Sequence, residues 1–271
     1  MLKDITLGQY FPGNSLLHRL DPRVKLLVTF VYIIAVFIPQ NWWGLLIAVA
    51  FLVIAVALSE LPVRLITKTF KPIIPLIILT SLLNVFYLDS GNVWVNAGFF
   101  KITDHGVYTA IFIAVRILCL IAGSSLMTYT TTPTALTDGL ERLLNPLRHL
   151  HVPVHELAMM MTIALRFIPT LIEETDKIMA AQKARGADME SGGMMQRIRA
   201  FLPVLIPLFV SSFRRAYDLA TAMECRCYRG GEGRTRLNRL QMYGRDVATL
   251  VITAVFCAVL IAMNFYVIPS I

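Results

Sequence analysis

Charge is what this 271-residue sequence has least of. Only 15% of its residues are Asp, Glu, Lys or Arg, against about 25% in an ordinary soluble domain. Acidic residues are the scarcer kind, 17 against 25 basic, so the formal net charge is +8. Together with 56% apolar residues and a mean hydropathy of +0.66, this shortage excludes a disordered chain and a collagen-like one. It also argues against an ordinary soluble enzyme and leaves a polytopic membrane protein as the first choice. Cysteine is scarce too: four residues do not make a disulfide scaffold. Cys119 and Cys257 sit inside apolar runs, and Cys225 and Cys227 have the wrong spacing for a CxxC redox or zinc motif. There is no Walker A motif, so ATP binding by a P-loop is not expected. No cleavable signal peptide is expected, because the N-terminus is polar and the first apolar run begins only after Lys25.

Five stretches are able to cross a bilayer: Val24–Ile38, Trp42–Leu58, Pro72–Leu88, Gly106–Thr128 and Val247–Ile268. A span needs about 20 apolar residues. The first is short, which suggests that Lys25 snorkels to the headgroups. Lys and Arg set the topology. Four lie before or at the edge of the first span (Lys3, Arg19, Arg23, Lys25), three lie between spans two and three (Arg64, Lys68, Lys71), and sixteen lie between residues 134 and 245. The loop Asp89–His105 has only Lys101. The positive-inside rule then places the N-terminus in the cytoplasm and the C-terminus outside, so the charge excess reads as orientation rather than nucleic-acid binding. Two further apolar runs, Leu157–Ile172 and Phe201–Phe213, would make seven spans. That arrangement exposes Lys177, Lys183, Arg185, Arg197 and Arg199 externally, against the rule. The five-span arrangement is therefore preferred.

The expected architecture is all-α. Residues 1–132 form a four-span membrane domain, 133–245 a cytoplasmic coupling domain of amphipathic helices, and 246–271 a C-terminal transmembrane helix. Within the middle block, Leu136–Leu150 is a short amphipathic segment broken at His151-Val152-Pro153. A long helix follows to about Arg185-Gly186. After Ser191-Gly192-Gly193 a second long helix runs to about Arg226. The two are weak echoes. Each holds an Ile-Pro pair, and each ends in one Arg flanked by small residues: Ala184-Arg185-Gly186 and Cys225-Arg226-Cys227. A cation at a helix C-terminus is ordinary dipole complementation. A matched pair with small neighbours also suits insertion into another protein's groove, against a carboxylate.

Other constellations read as structural. Gly230-Gly231-Glu232-Gly233-Arg234-Thr235 is a turn. His149, His151 and His155 make an HxHxxxH cluster, read as solvated rather than metal-binding, with Glu156 the nearest carboxylate in sequence. Gly123-Ser124-Ser125 lacks the GxSG motif of an intramembrane serine protease, and His105 lies at the far end of that span. Arg116 stands inside span four. It is either a buried arginine satisfied by carbonyls or by Asn84 and Thr80, or part of a polar substrate path.

Three signatures carry a family resemblance. They are the segment Gly8-Gln9-Tyr10-Phe11-Pro12-Gly13-Asn14-Ser15-Leu16-Leu17-His18-Arg19-Leu20-Asp21-Pro22-Arg23-Val24-Lys25, the triplet Ala184-Arg185-Gly186, and Met223-Glu224-Cys225-Arg226-Cys227-Tyr228-Arg229-Gly230-Gly231. With them the chain resembles the T component of energy-coupling-factor (ECF) transporters, the EcfT/CbiQ family, over essentially its whole length. The second Arg motif departs from the family in having Cys on both sides. The resemblance implies a non-catalytic scaffold in the cell membrane, without a cofactor of its own. It implies two ABC-type ATPases docked at Arg185 and Arg226, a small substrate-binding S component, and uptake of vitamins or trace metal ions. The rivals are a self-contained permease, for which only Arg116, Asn84 and a few hydroxyls would line a path, and an intramembrane hydrolase.

Overall fold

The computed structural model describes residues 10–87, 93–97, 100–187, 193–230 and 241–266. They are almost wholly helical. The chain divides into two compact units: the described parts of Gly8–Leu140 with Leu240–Ile271, and those of Glu141–Arg239.

In the first unit, α1 (Pro22–Phe37) starts where Asp21 accepts the Arg23 backbone N–H at 2.9 Å and Pro22 supplies the preset φ of a first turn. α2 (Trp42–Ser59) starts at Asn41, whose side chain accepts the Gly44 N–H at 2.9 Å. The third expected span is not one helix. It consists of α3 (Val63–Phe70) and α4 (Ile74–Tyr87), bent by 55° at the break. Pro72 and Pro75 explain the bend, since each removes a helical N–H and crowds the preceding turn. A two-stranded antiparallel ribbon, β1 (Val93–Ala97) with β2 (Phe100–Thr103), occupies what the sequence suggested was plain loop. α5 (Asp104–Thr130) is capped by Thr103, which accepts the Gly106 N–H at 3.2 Å. Its 27 residues reach about 40 Å. α9 (Gly244–Tyr266) completes the unit.

Among the described residues four helices are long and apolar enough to cross a membrane: α2, α5, α9 and α7 (Val154–Ala184). The bent α3–α4 pair makes a fifth. The sequence had counted α1 and left α7 in the coupling block. α1 has 16 residues, about 24 Å of helix, which is short of the ~30 Å hydrocarbon core. α7 qualifies because its first eighteen residues hold only Glu156 and Arg166 as charges.

The core of this unit gathers Tyr32, Ala35 and Val36 of α1, Ala48 of α2, Cys119 of α5, and Phe256 and Leu260 of α9. Phe256 stacks on Phe51 at 4.3 Å, and Tyr32 lies 5.9 Å and 6.2 Å from those two rings. Gly123 lets the Tyr32 ring touch α5, for a Cβ there would overlap it.

One end of the unit is held by a buried polar knot. Lys25 does not snorkel outward: it is 8% exposed, and its Nζ donates to the carbonyls of Thr130 at 2.8 Å and His18 at 3.2 Å. Asp246 is fully buried and supplies the opposing charge. Its Oδ1 accepts the Asp21 N–H at 2.9 Å and its Oδ2 the Tyr243 N–H at 2.8 Å. The knot joins the starts of α1 and α9 to the end of α5. The stretch before α1 packs there as well. Phe11 donates its N–H to the Tyr129 carbonyl at 2.9 Å, and the His18 ring is held between Ser15 Oγ at 2.6 Å and the Phe11 carbonyl at 3.0 Å.

Removing one member of such a knot leaves the other charge and two backbone donors unpaired, a loss of about 3–5 kcal/mol. Asp246→Ala is therefore expected to lower the thermal unfolding temperature of the detergent-solubilised protein sharply. Asp246→Asn, which keeps one carbonyl acceptor, should lower it less. Equal, small shifts in a melting experiment would mean that the knot does not hold the fold.

Candidate functional site

The second unit carries the two arginine motifs. α6 (Pro133–Leu144) leads into a 3-10 turn at Asn145–Leu150, and then come α7 and α8 (Met194–Cys225). Each long helix ends in the same hydrogen-bonded cap. In α7 the Gly186 N–H donates to Lys183 O at 3.0 Å and the Ala187 N–H to Gln182 O at 3.0 Å. In α8 the Cys227 N–H donates to Glu224 O at 2.8 Å and the Tyr228 N–H to Met223 O at 3.0 Å. This pair of bonds is a Schellman motif, which satisfies the last carbonyls of a helix and requires a left-handed residue just past the cap. Gly186 has φ +86° and Cys227 has φ +56°. The residue before each, Arg185 and Arg226, is the cap itself, and both side chains are exposed. The flanking Ala184, Gly186, Cys225 and Cys227 are also exposed and small, so little beside either guanidinium blocks an approaching surface.

α7 and α8 run antiparallel, locked by polar contacts in the middle. Glu174 of α7 accepts a hydrogen bond from the Ser211 hydroxyl of α8 and a second, at 2.8 Å, from the Arg215 guanidinium. Two turns further along α7, Gln182 Nε2 donates to the Pro203 carbonyl at 3.4 Å. That carbonyl is available for a physical reason: the residue four places on is Pro207, which has no N–H to give it. At the other end, a Cβ placed on Gly230 would lie 3.9 Å from Glu156 Oε1, so the chain leaving α8 returns to the first turn of α7. The register puts Arg185 beside the start of α8 and Arg226 at its far end. From Pro203 to Arg226 the 1.5 Å rise per residue gives roughly 35 Å.

Between these ends α8 presents an exposed apolar stripe: Leu202, Ile206, Phe209, Phe213 and Tyr217, the last two 72% and 75% exposed. The steps of three and four put these side chains on one face.

The remaining candidates fall into place separately. Arg116 sits on α5, but its head reaches the loop between α1 and α2, where it donates to the Pro39 carbonyl and lies 4.6 Å from the Phe112 ring and 6.0 Å from that of Phe37. Asn84 donates its amide to Thr80 O at 2.8 Å, inside α4. The two are thus engaged apart from one another. His155 pairs with Glu141 at 3.0 Å rather than with Glu156, a partner invisible in sequence because it lies fourteen residues back on α6. His151 takes a left-handed cap conformation at the end of the 3-10 turn. Ser124 donates to Ile121 O in its own helix. Residues 231–235 of the glycine-rich turn, and Ser191-Gly192, lie outside the described residues. Glu174, Ser211, Arg215 and Gln182 carried no sequence motif. The one available signal was Pro207, which predicts a free carbonyl without naming its donor.

A family model described as "Cobalt transport protein" (CbiQ) matches residues 13–237. The chain is similar to the energy-coupling factor transporter transmembrane protein EcfT of Ruminiclostridium cellulolyticum, 52% identical over 265 residues, which are 98% of this chain and 99% of that protein. It is 51% identical over 272 residues to the protein of that name from Acidaminococcus fermentans, with both chains fully covered. To the Bacillus subtilis protein of that name it is 47% identical over 260 residues, 96% and 98% of the two chains.

The two caps differ at their left-handed residue, Gly186 against Cys227, and the difference is measurable. A Cβ at Gly186 would meet nothing within 4 Å, so Gly186→Ala costs only the left-handed strain, about 1 kcal/mol. Cys227→Gly removes that strain and is expected to stabilise the α8 cap by a similar amount. Hydrogen exchange at the Ala187 and Tyr228 amides reads both: faster at 187 in the first variant, slower at 228 in the second.

Proposed function

The chain belongs to the EcfT/CbiQ family, and from that premise we propose that it is the coupling subunit of an ATP-driven ECF importer. It performs no chemistry of its own. In this reading residues 133–245 form the coupling domain, on the cytoplasmic side, between the four spans of 1–132 and the C-terminal helix of 246–271. The N-terminus is cytoplasmic and the C-terminus external, a reading that the bias of Lys and Arg supports. Two ABC-type ATPases dock at Arg185 and Arg226, each guanidinium entering a groove and meeting a carboxylate there. A small S component captures the substrate, a vitamin or a trace metal ion, and rests on the exposed apolar stripe of α8.

One observation carries the reading: two helix caps closed by the same pair of hydrogen bonds, each presenting one exposed Arg between small residues, at opposite ends of a clamped antiparallel pair. Opposite ends suit two partners rather than one. When the ATPases close on ATP, the grooves approach one another and the helix ends must follow. Because α7 and α8 are tied in the middle, the displacement becomes a rigid-body movement of the pair, which tilts whatever rests on α8. The self-contained permease is less well supported, since Arg116 bonds the Pro39 carbonyl and Asn84 the Thr80 carbonyl, and the two do not join into a path.

Arg185→Glu and Arg226→Glu are expected to leave membrane insertion intact. A reversed charge at an interface anchor costs about 2–4 kcal/mol of binding, so each variant should lose ATPase co-purification or ATP-driven uptake by at least about thirtyfold. A double variant that still takes up substrate normally on ATP would overturn the docking assignment. If tagged wild-type protein from its native membrane brings down no ATPase, the coupling reading itself fails.

A further inference from the structure

We infer that Glu174 is a positioning residue for coupling: it fixes the register of α7 against α8, so that movement at one arginine end is delivered to the other. The inference rests on the coupling reading above and adds to it the residue on which transmission turns. One carboxylate of α7 receives two donors from successive turns of α8, the Ser211 hydroxyl and the Arg215 guanidinium. A sliding or rotation of one helix by a single turn, about 5.4 Å, breaks both bonds together. Apolar side chains alone would resist such a slip less, because hydrophobic contact is non-directional. The Gln182–Pro203 contact acts in the same sense eight residues away and through a carbonyl that the proline fold leaves open. Both are polar side-chain contacts that cross between α7 and α8.

The exposure of the pair decides what its loss should do. Arg215 is 41% and Glu174 20% exposed, and ion pairs so wetted contribute little to stability. Glu174→Ala should therefore still fold, insert and assemble. What it should lose is the single register, and with it the transfer of displacement along the pair.

The test uses the complete complex, purified with its ATPases and S component and reconstituted in vesicles, with ATP hydrolysis and substrate uptake measured on the same sample. Glu174→Ala is expected to keep co-purifying partners and to keep hydrolysing ATP, while uptake per ATP falls at least about fivefold, the lower range of ordinary coupling energies. Glu174→Asp, a shorter carboxylate, should recover part of it. A Glu174→Cys, Ser211→Cys double variant should recover coupling when its two thiols are joined as a disulfide by added copper-phenanthroline with oxygen as electron acceptor, and lose it again on reduction with dithiothreitol. Unchanged uptake per ATP in Glu174→Ala overturns the inference. So does loss of assembly that the disulfide does not repair, since that is the behaviour of a merely structural residue. If the wild-type complex contains no ATPase, the coupling reading falls first, and that result is distinct from either of these.

Discussion

In hydrocarbon every backbone N–H and C=O must be satisfied within the protein, because no water is there to take its place. That constraint explains most of what this chain does with its polar atoms. Hydroxyls along the spans turn back onto carbonyls of their own helix: Thr80 onto Leu76, Ser124 onto Ile121, Thr128 onto Ser124, Thr253 onto Thr249. Polar groups freed from the ladder find partners elsewhere. The Pro39 carbonyl, just beyond α1, takes Arg116, and the Pro203 carbonyl, released by Pro207, takes Gln182. Proline therefore has two effects here. It bends α3 against α4, and in α8 it supplies a directional acceptor that a regular helix would have used up.

Several charges that find partners inside the fold stand at junctions. Lys25 and Asp246 tie three helix ends where the backbone leaves regular structure. Arg116 closes the α1–α2 loop onto α5. Glu174 and Arg215 join α7 to α8. The degree of burial separates these cases. Asp246 is sealed, and a sealed charge is strongly destabilising to disturb, so that junction is fixed. The Glu174–Arg215 pair is wetted on one side, and its energetic contribution is small. Such a pair can set a register without making the two helices an unbreakable block.

The sequence made the helices legible because apolar runs of about 20 residues and their flanking cations are strong signals. The start of α2 at Trp42 is the one expected, whereas α1 begins at Pro22, two residues before the expected Val24. What it could not show were pairings over long separations. Asp21 with Asp246, Lys25 with Thr130, and Glu174 with Arg215 each need the fold to bring them together. Lys25 was misjudged for that reason: a lysine at a span's edge ordinarily snorkels, and the carbonyls of His18 and Thr130 with the charge of Asp246 make burial tolerable. α7 was ambiguous for another. Its apolar first half and charged second half satisfy both a span and a coupling helix, and a test of length and apolarity cannot tell them apart. The arginine ends were visible as motifs, while their shared cap geometry was not, since Cys227 does not advertise a left-handed conformation as Gly186 does.

That last difference bears on how the two ends work. A Schellman cap directs the chain away from the helix axis and leaves the cap side chain standing clear, which is what an arginine needs if it is to enter a groove. Gly186 achieves this without strain. Cys227 achieves it against a steric preference, and yet the same two hydrogen bonds form at 2.8 and 3.0 Å. The α8 end therefore holds its arginine in the same attitude at a smaller margin of stability. Of the two ends it is the one whose cap opens more readily. Two equally firm ends would confine all compliance to the middle of the pair, where Glu174 resists it. If a partner docks at Arg226, as proposed, a softer cap there lets that end adjust to it while the register between α7 and α8 is kept. Rigidity in the middle and compliance at one tip are compatible because different interactions supply them: side-chain bonds between helices in the first case, and one residue's φ in the second.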